Sequence, residues 1–114
     1  MSQATELVDR QITAYNRRDL DAFVACYSAD APISQPDGSL LADGQTEIRS
    51  RFGELFGQSP KLHAEIRVRI EVGPFVIDGE FITGFCLAGM PTEVHSAVAY
   101  RFADGLIQSV QLFG

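Results

Sequence analysis

The sequence predicts an α+β fold in which three N-terminal helices pack on a strongly curved antiparallel β-sheet. Up to residues 57–60, apolar residues recur every three or four positions, which is the period of an α-helix. After Pro60 they recur at every second position, which is the period of a strand. The predicted strands are about ten residues long and should twist and curl. Helices across the concave side of such a sheet would enclose a cavity, and the whole chain, 1–114, fits a single domain.

Two helices are predicted at the start of the chain. The first covers about residues 3–17, where apolar residues share one face at spacings of three and four. Asp19 is a good N-cap for a second, short helix. The apolar stripe of this second helix is Leu20, Phe23, Val24 and Tyr27.

An extended segment and a third helix follow. Residues 28–38 contain two prolines, which forbid a helix and favour an edge strand that ends in a turn at Asp37-Gly38. Asp43-Gly44 introduces the third helix, which ends at residues 57–60.

The second half of the chain is predicted to be a meander of strands. Residues 61–72 alternate most clearly and would have one apolar face and one charged face. The charged face consists of His63, Glu65, Arg67, Arg69 and Glu71. Gly73-Pro74 is interpreted as a bulge or kink, with Phe75–Ile77 continuing the strand, and Asp78-Gly79 as a hairpin turn. Further strands are predicted at 80–88, 92–103 and 106–113, with turns at Gly89-Met90-Pro91 and Asp104-Gly105.

Composition and charge exclude several classes of partner. The net charge of −6 argues against nucleic acid or an anionic membrane surface as the main partner. No apolar run approaches the roughly 20 residues of a membrane span, and no basic start is followed by an apolar stretch, so we expect a cytoplasmic protein. Cys26 and Cys86 are predicted to be free thiols that serve as small structural hydrophobes. No metal-ligand cluster, phosphate loop or nucleophile elbow is visible, so we expect neither a metal nor a cofactor.

Four stretches of the chain resemble a known superfamily. They are "YNRRDLDAFVACYSADAPISQPDG" at 15–38, "DGQTEIRSRF" at 43–52, "VAYRFADGLIQSV" at 98–110 and "LFG" at 112–114. With these stretches, the chain resembles the nuclear transport factor 2-like (NTF2-like) superfamily, which includes ketosteroid isomerases, scytalone dehydratases and SnoaL-like polyketide cyclases. The resemblance covers nearly the whole chain and implies a cone-shaped α+β fold. It does not specify a reaction, because this fold hosts many.

Within the superfamily the chain looks most like ketosteroid isomerase, but the catalytic positions differ. That resemblance implies an aspartate base, an oxyanion-binding tyrosine and a protonated aspartic acid. The matching positions here are Gln35, Gln11 and Val98, so all three depart from the pattern, and the amide of Gln35 cannot act as the base. Standard isomerase activity on a 3-oxo-Δ5-steroid is therefore not expected.

Other chemistries of the superfamily find no better match. SnoaL-like cyclases use an aspartate with a histidine, whereas His63 falls on the charged strand face and His95 has the opposite parity to Val98. The Asp-Arg-Asp network of limonene epoxide hydrolase-like proteins has no evident counterpart.

Polar residues provide the first candidates for a ligand site. Gln11 and Gln35 are interpreted as a polar pair that donates hydrogen bonds to a ligand carbonyl; alternatively they bond to each other or to water. Asp37 is the candidate for a displaced catalytic base, because residues 35 and 37 share a face of an extended chain. The alternative for Asp37 is an ordinary Asp-Gly turn.

Aromatic and apolar residues complete the predicted ligand site. Tyr15, Tyr27 and Tyr100 would each present a hydroxyl to the cavity, or else pack in the core with the hydroxyl bonded at its rim. Phe52, Phe56 and Val98 are predicted to line the apolar part of the pocket.

Two functions from different classes fit these observations. The first is binding or conversion of a small hydrophobic carbonyl-type molecule, with proton transfer or dehydration as the reaction class. The alternative is a protein-association module that uses the outer sheet face. We expect a homodimer, in which mixed charges on that face pair across a two-fold axis.

Overall fold

The structure, a computed structural model, describes residues 2–114. These residues form three helices and one six-stranded sheet. In chain order the elements are α1 (Gln3–Arg17), α2 (Leu20–Val24), β1 (Pro32–Ser34), β2 (Leu40–Asp43), α3 (Gln45–Gln58), β3 (His63–Val72), β4 (Phe75–Thr83), β5 (Glu93–Ala103) and β6 (Leu106–Leu112). The strands lie in the order β2-β1-β6-β5-β4-β3. The predicted α+β fold is confirmed.

The first two helices begin where the sequence predicts. Ser2 caps α1 because its hydroxyl accepts a hydrogen bond from the Thr5 N–H at 3.1 Å. Asp19 caps α2 in the same way, through the Ala22 N–H at 3.2 Å. Arg18, in the left-handed conformation with φ 54°, ends α1 and turns the chain into α2. None of the helices within residues 2–114 is long and apolar enough to cross a membrane.

The sheet is mixed, whereas the sequence suggested a wholly antiparallel one. β1 pairs with β2 in antiparallel orientation and with β6 in parallel orientation, through Ile33 opposite Val110. β2 was not predicted, because only the short segment Leu40–Asp43 separates the turn at Asp37-Gly38 from α3. The parallel pairing joins two segments that lie more than 70 residues apart, and such a long-range contact has no local sequence signal.

The predicted hairpin turn at Asp78-Gly79 is wrong. The turn between β3 and β4 lies at Gly73-Pro74, where Gly73 has a φ of +55° that favours glycine. Asp78 instead pairs with strands on both sides, opposite Arg69 of β3 and opposite Val98 of β5. An Asp-Gly pair is typical of a turn, but here it lies in the middle of β4.

A β-bulge in β3 changes the two faces of that strand. The register shifts between Ile66, which lies opposite Glu80, and Val68, which lies opposite Gly79, so that Arg67 is an extra residue. Beyond the bulge the parity reverses, and Val68, Ile70 and Val72 lie on the outer face, 60%, 52% and 57% exposed. The prediction of one continuous charged face is therefore wrong from Arg69 onward, because Arg69 points to the inner face.

The helices cover the inner face of the sheet and enclose the hydrophobic core. Among the most buried side chains are Leu7, Phe23, Ile48, Val76 and Ile107. Cys26 is buried, as expected for a small structural hydrophobe. Cys86 is exposed in the segment after β4, so that interpretation is wrong for Cys86; both cysteines are free.

Candidate functional site

A cavity of about 390 Å³ lies between the helices and the inner face of the sheet. Its wall is largely apolar, with side chains from α1, α3 and the inner face of the strands, among them Ile12, Leu55, Ile82 and Val110. The segment between β4 and β5 contributes Phe85. A largely apolar cavity with a few polar groups is typical of sites for small molecules.

Six predicted ligand-binding residues meet in this cavity wall. They are Gln11, Tyr15, Tyr27, Phe52, Val98 and Tyr100. Gln11 and Tyr15 lie one turn apart on α1, whereas Val98 and Tyr100 lie on the same face of β5. The structure brings these side chains together, and their contact with a ligand stays a prediction.

Gln35 lies outside the cavity wall and does not pair with Gln11. It is half-buried in the turn after β1, where its N–H donates to the Ser39 carbonyl at 2.7 Å. Its carbonyl accepts from the Gly38 N–H at 2.9 Å and from Gln111 Nε2 at 3.0 Å. The expected polar pair of Gln11 and Gln35 is therefore wrong, because the proline turn holds Gln35 at the rim of the sheet.

Asp37 belongs to the same turn and is fully exposed to solvent. Its carboxylate accepts hydrogen bonds from the Ser39 hydroxyl at 2.6 Å and from the Ser39 N–H at 2.9 Å. These bonds lower the pKa of Asp37. Asp37 lies outside the cavity wall, and its geometry is that of the Asp-Gly turn, the alternative that the sequence left open.

Phe56 packs behind the cavity rather than in its wall. Its ring contacts those of Tyr15 and Phe23, each with a centroid distance of 5.5 Å. Phe52 also packs against Phe23, with a centroid distance of 4.7 Å, and does reach the cavity. Phe56 therefore supports the position of Tyr15.

The cavity wall also contains Glu80, a residue that was not predicted from the sequence. Glu80 lies on the inner face of β4, and its side chain is buried. The Tyr100 hydroxyl donates a hydrogen bond to Glu80 Oε2 at 2.7 Å. Burial raises the pKa of Glu80 to about 7, against the lowering effect of the Tyr100 hydrogen bond. A carboxyl group with this pKa can both accept and donate a proton near neutral pH.

The three tyrosines around Glu80 stay protonated. Burial raises the pKa of Tyr100 and of Tyr27, and it does the same for Tyr15. The charge of Glu80 adds to each of these shifts. The cavity therefore has phenol O–H groups that can donate hydrogen bonds but cannot act as bases at ordinary pH.

Gln11 contacts Tyr27 through its amide nitrogen. Gln11 Nε2 donates to the Tyr27 hydroxyl oxygen at 3.1 Å. Gln11 Oε1 is also buried, and within residues 2–114 it has no hydrogen-bond partner. The acceptor end of this amide is thus unsatisfied in the protein alone.

Asp9, Arg69 and Asp78 form a charged network behind Glu80. Arg69 donates to both carboxylate oxygens of Asp78, at 2.7 and 2.9 Å, and to Asp9 Oδ1 at 2.7 Å. These hydrogen bonds raise the pKa of Arg69, and the bonds to Asp78 contribute most. None of the three lines the cavity, so the lack of a counterpart to the Asp-Arg-Asp network of limonene epoxide hydrolase-like proteins stays a prediction. Asp78 lies two residues before Glu80 on the same strand face, so its charge further raises the pKa of Glu80.

The sequence contained a signal for Glu80 that the interpretation of Asp78-Gly79 as a turn obscured. Val76, Asp78, Glu80 and Ile82 alternate along β4, and the first three are buried. Reading these residues as one strand face would have placed two carboxyl groups beside apolar residues.

The two histidines lie on the outer face of the sheet. His63 and His95 are exposed, and the His95 ring contacts Phe81 at a centroid distance of 4.4 Å. His95 points away from the cavity, as its parity predicted. Among residues 2–114, no group of three or more His, Cys, Asp and Glu side chains is placed to hold a metal ion.

Comparison with known proteins identifies the family. The model of the SnoaL-like domain matches residues 8–110. A solved structure of an uncharacterized cystatin fold protein from Novosphingobium aromaticivorans is 29% identical, with a TM-score of 0.87 over 98% of this chain and 97% of that one.

Two further solved structures share the fold at lower identity. An NTF2-like protein of unknown function from Cytophaga hutchinsonii is 17% identical, with a TM-score of 0.77 over 96% of this chain and 87% of that one. A further structure is that of a hypothetical protein from Catenulispora acidiphila with a ketosteroid isomerase-like fold, in complex with trimethylamine. It is 20% identical, with a TM-score of 0.75 over 96% of this chain and 85% of that one. Because the family match covers most of the sequence, this chain belongs to the SnoaL-like domain family of the NTF2-like superfamily.

Proposed function

We propose that the cavity binds a small hydrophobic carbonyl compound and that Glu80 moves a proton on it. The observation that supports this proposal is a buried carboxyl group with a pKa of about 7 in the wall of a largely apolar cavity. Perturbed carboxyl groups in such places are typical of catalytic acids and bases. Glu80 takes the role for which the sequence suggested Asp37.

The proposed step is removal of a proton from the carbon next to the carbonyl group. The Glu80 carboxylate accepts the proton, the electron pair of the C–H bond moves into the new C=C bond, and the carbonyl oxygen becomes an enolate. The protonated hydroxyl groups of Tyr15 and Tyr27 are the nearby donors that can stabilise the enolate oxygen. The Glu80 carboxyl group then exchanges this proton with solvent and returns a proton, or in D2O a deuteron, to the carbon, which restores the carbonyl group and the carboxylate.

Exchange of the α-protons of 2-tetralone for deuterium, followed by NMR in D2O, tests this function. We expect the protein to accelerate exchange, with a rate that rises with pH through about 7 as Glu80 ionises. Glu80→Gln keeps the size of the side chain but removes the base, and should lower the rate at least about 100-fold.

Asp37→Asn is the matched comparison, because it removes a carboxylate that lies outside the cavity wall. Its exchange rate should equal that of the unmodified protein. Equal rates for the Glu80→Gln variant and the unmodified protein, or loss of exchange in Asp37→Asn, would contradict the assignment to Glu80.

A second proposed function is self-association through the outer sheet face. The outer apolar patch, defined as Val68, Ile70, Val72, Phe75, Ile77 and Ala99, combines neighbouring residues of β3, β4 and β5. Phe75 is 41% exposed, and the three β3 residues of the patch are each more than 50% exposed. Continuous apolar surface of this kind is typical of interaction sites.

Charges of both signs flank this patch, which favours a second copy of the chain as its partner. Glu65 and Arg67 form an ion pair at 3.2 Å on the outer face of β3, and Arg101 lies on β5. Opposite charges on one surface can pair across a two-fold axis. Sedimentation should therefore give twice the chain mass of 12.5 kDa; a mass of one chain would contradict the homodimer.

A further inference from the structure

The side chain of Gln11 contains a polar atom that needs a partner. Gln11 is only 4% exposed, and its side chain lies in the wall of the cavity. Within residues 2–114, Gln11 Oε1 is the buried side-chain oxygen or nitrogen that lacks a hydrogen-bond partner. A buried acceptor without a donor is unfavourable, so this oxygen favours an occupant that supplies one.

The amide nitrogen of Gln11 is already in use. Its hydrogen bond to the Tyr27 hydroxyl fixes which end of the amide is left over. The side chain therefore offers an acceptor, not the donor to a ligand carbonyl that the sequence analysis expected. A group that satisfies Gln11 Oε1 must itself have an O–H or N–H.

A trapped water molecule fits this position less well than a ligand does. A buried water usually makes about three hydrogen bonds, whereas most of the cavity wall is apolar. The Tyr27 hydroxyl, beside Gln11, accepts from Gln11 Nε2 and has only its own O–H left to donate, so these two residues would give a water two partners rather than three. A ligand is held in the cavity by its apolar contacts, so its O–H or N–H group can bond to Gln11 Oε1 without the further hydrogen bonds that a water needs.

We propose that the ligand of this cavity has a hydroxyl or amino group that donates a hydrogen bond to Gln11 Oε1, in addition to its carbonyl group. The ligand class is then a hydroxy- or amino-substituted hydrophobic carbonyl compound. This inference rests on the proposed function, because it assumes that the cavity binds a small apolar molecule. Gln11 acts here as a specificity-determining residue, separate from proton transfer by Glu80.

Binding of matched tetralones by calorimetry tests this inference. The probes are 2-tetralone and its monohydroxy isomers substituted on the aromatic ring, each compared with the corresponding methoxy compound. At pH 6 most Glu80 is protonated, so the carboxylate contributes little to hydroxyl recognition. We expect at least one hydroxy isomer to bind about tenfold more tightly than both 2-tetralone and its methoxy counterpart.

Three variants assign that preference to a residue. Gln11→Met keeps the length of the side chain without the amide and should abolish the preference. Gln3→Met, at an exposed glutamine on the same helix, should retain it, and so should Glu80→Gln. If Gln11→Met does not fold, the absence of a hydroxyl preference in the unmodified protein still overturns the inference.

The possible failures are distinguishable. If no tetralone binds, the proposed function is wrong, and this inference is wrong with it. If 2-tetralone binds but no hydroxy isomer binds more tightly, or if the preference survives in Gln11→Met, only the inference about Gln11 is overturned.

Discussion

At the residue scale, Glu80 should make stability depend on pH. Its pKa is about 7 in the folded chain and 4.5 in the reference state, so between these values the folded state binds more protons than the unfolded state. The free energy of unfolding therefore falls as pH rises from about 4.5 to 7, by up to about 3 kcal/mol, and levels off above that. Urea unfolding across this pH range measures the slope.

Glu80→Gln is the control for this pH dependence. The amide cannot ionise, and its oxygen can still accept the Tyr100 hydrogen bond, so the slope between pH 4.5 and 7 should become much shallower. Above pH 7 the variant should be more stable than the unmodified protein. An unchanged slope would show that another group causes the dependence.

The polar residues of the site differ in how far the sequence predicted them. Gln11 and Tyr15 follow from helix periodicity, because α1 is regular and its buried face is set locally. Glu80 does not, since its orientation depends on pairing of β4 with strands on both sides. The partner of Gln11 was also beyond prediction, because Tyr27 reaches it from a separate element.

At the scale of elements, Arg69 links α1, β3 and β4. Asp78 is fully buried, and both of its carboxylate oxygens accept hydrogen bonds from Arg69. Arg69→Met would leave that charge without its partner and should lower the free energy of unfolding by about 3 kcal/mol. Chemical denaturation measures the loss.

Asp9→Asn is the matched change at the other end of the same network. The Asp9 side chain is 47% exposed, so loss of its ion pair with Arg69 should cost less than about 1 kcal/mol. Similar losses for Asp9→Asn and Arg69→Met would contradict the view that burial of Asp78 sets the cost.

The bulge in β3 explains why this network was not predicted. Simple alternation assigns Arg69 to the same face as His63 and Glu65, whereas the extra residue Arg67 turns Arg69 inward. Arg67 lies over the ring of Phe81, with its Cζ 4.2 Å from the centroid, so the bulged residue has a favourable position on the outer face. The alternating sequence of β3 does not show which of its charged residues will form the bulge.

Gly84 should tolerate substitution less well than Gly89, although both lie between β4 and β5. Both have a positive φ, +84° and +78°, so alanine strains the backbone at either position. At Gly84 a Cβ would also collide with the backbone carbonyl of Lys61, whereas at Gly89 the space is open. Gly84→Ala should therefore lower the melting temperature clearly more than Gly89→Ala. Equal shifts would show that the contact with Lys61 relaxes easily.

At the scale of the whole molecule, the fold class was predictable, whereas strand β2 and the closure of the sheet were not. The change from a helical to a strand period at Pro60 was sufficient to predict the α+β fold, although β1 and β2 precede α3. The parallel contact between β1 and β6 connects segments far apart in sequence, so only the folded chain determines it. The outer apolar patch likewise depends on the β3 bulge, which moves three apolar residues from the inner face to the outer.

Ile70→Glu tests whether that patch joins two copies of the chain. Ile70 lies opposite Ile77 near the centre of the patch and is 52% exposed, so a charge there should cost little in one chain but much in an interface that buries it. Sedimentation should show the variant with half the mass of the unmodified protein. Leu40→Glu is the control, because Leu40 is 49% exposed on β2, at the opposite edge of the sheet. Dissociation by Leu40→Glu but not by Ile70→Glu would place the interface at the other edge of the molecule.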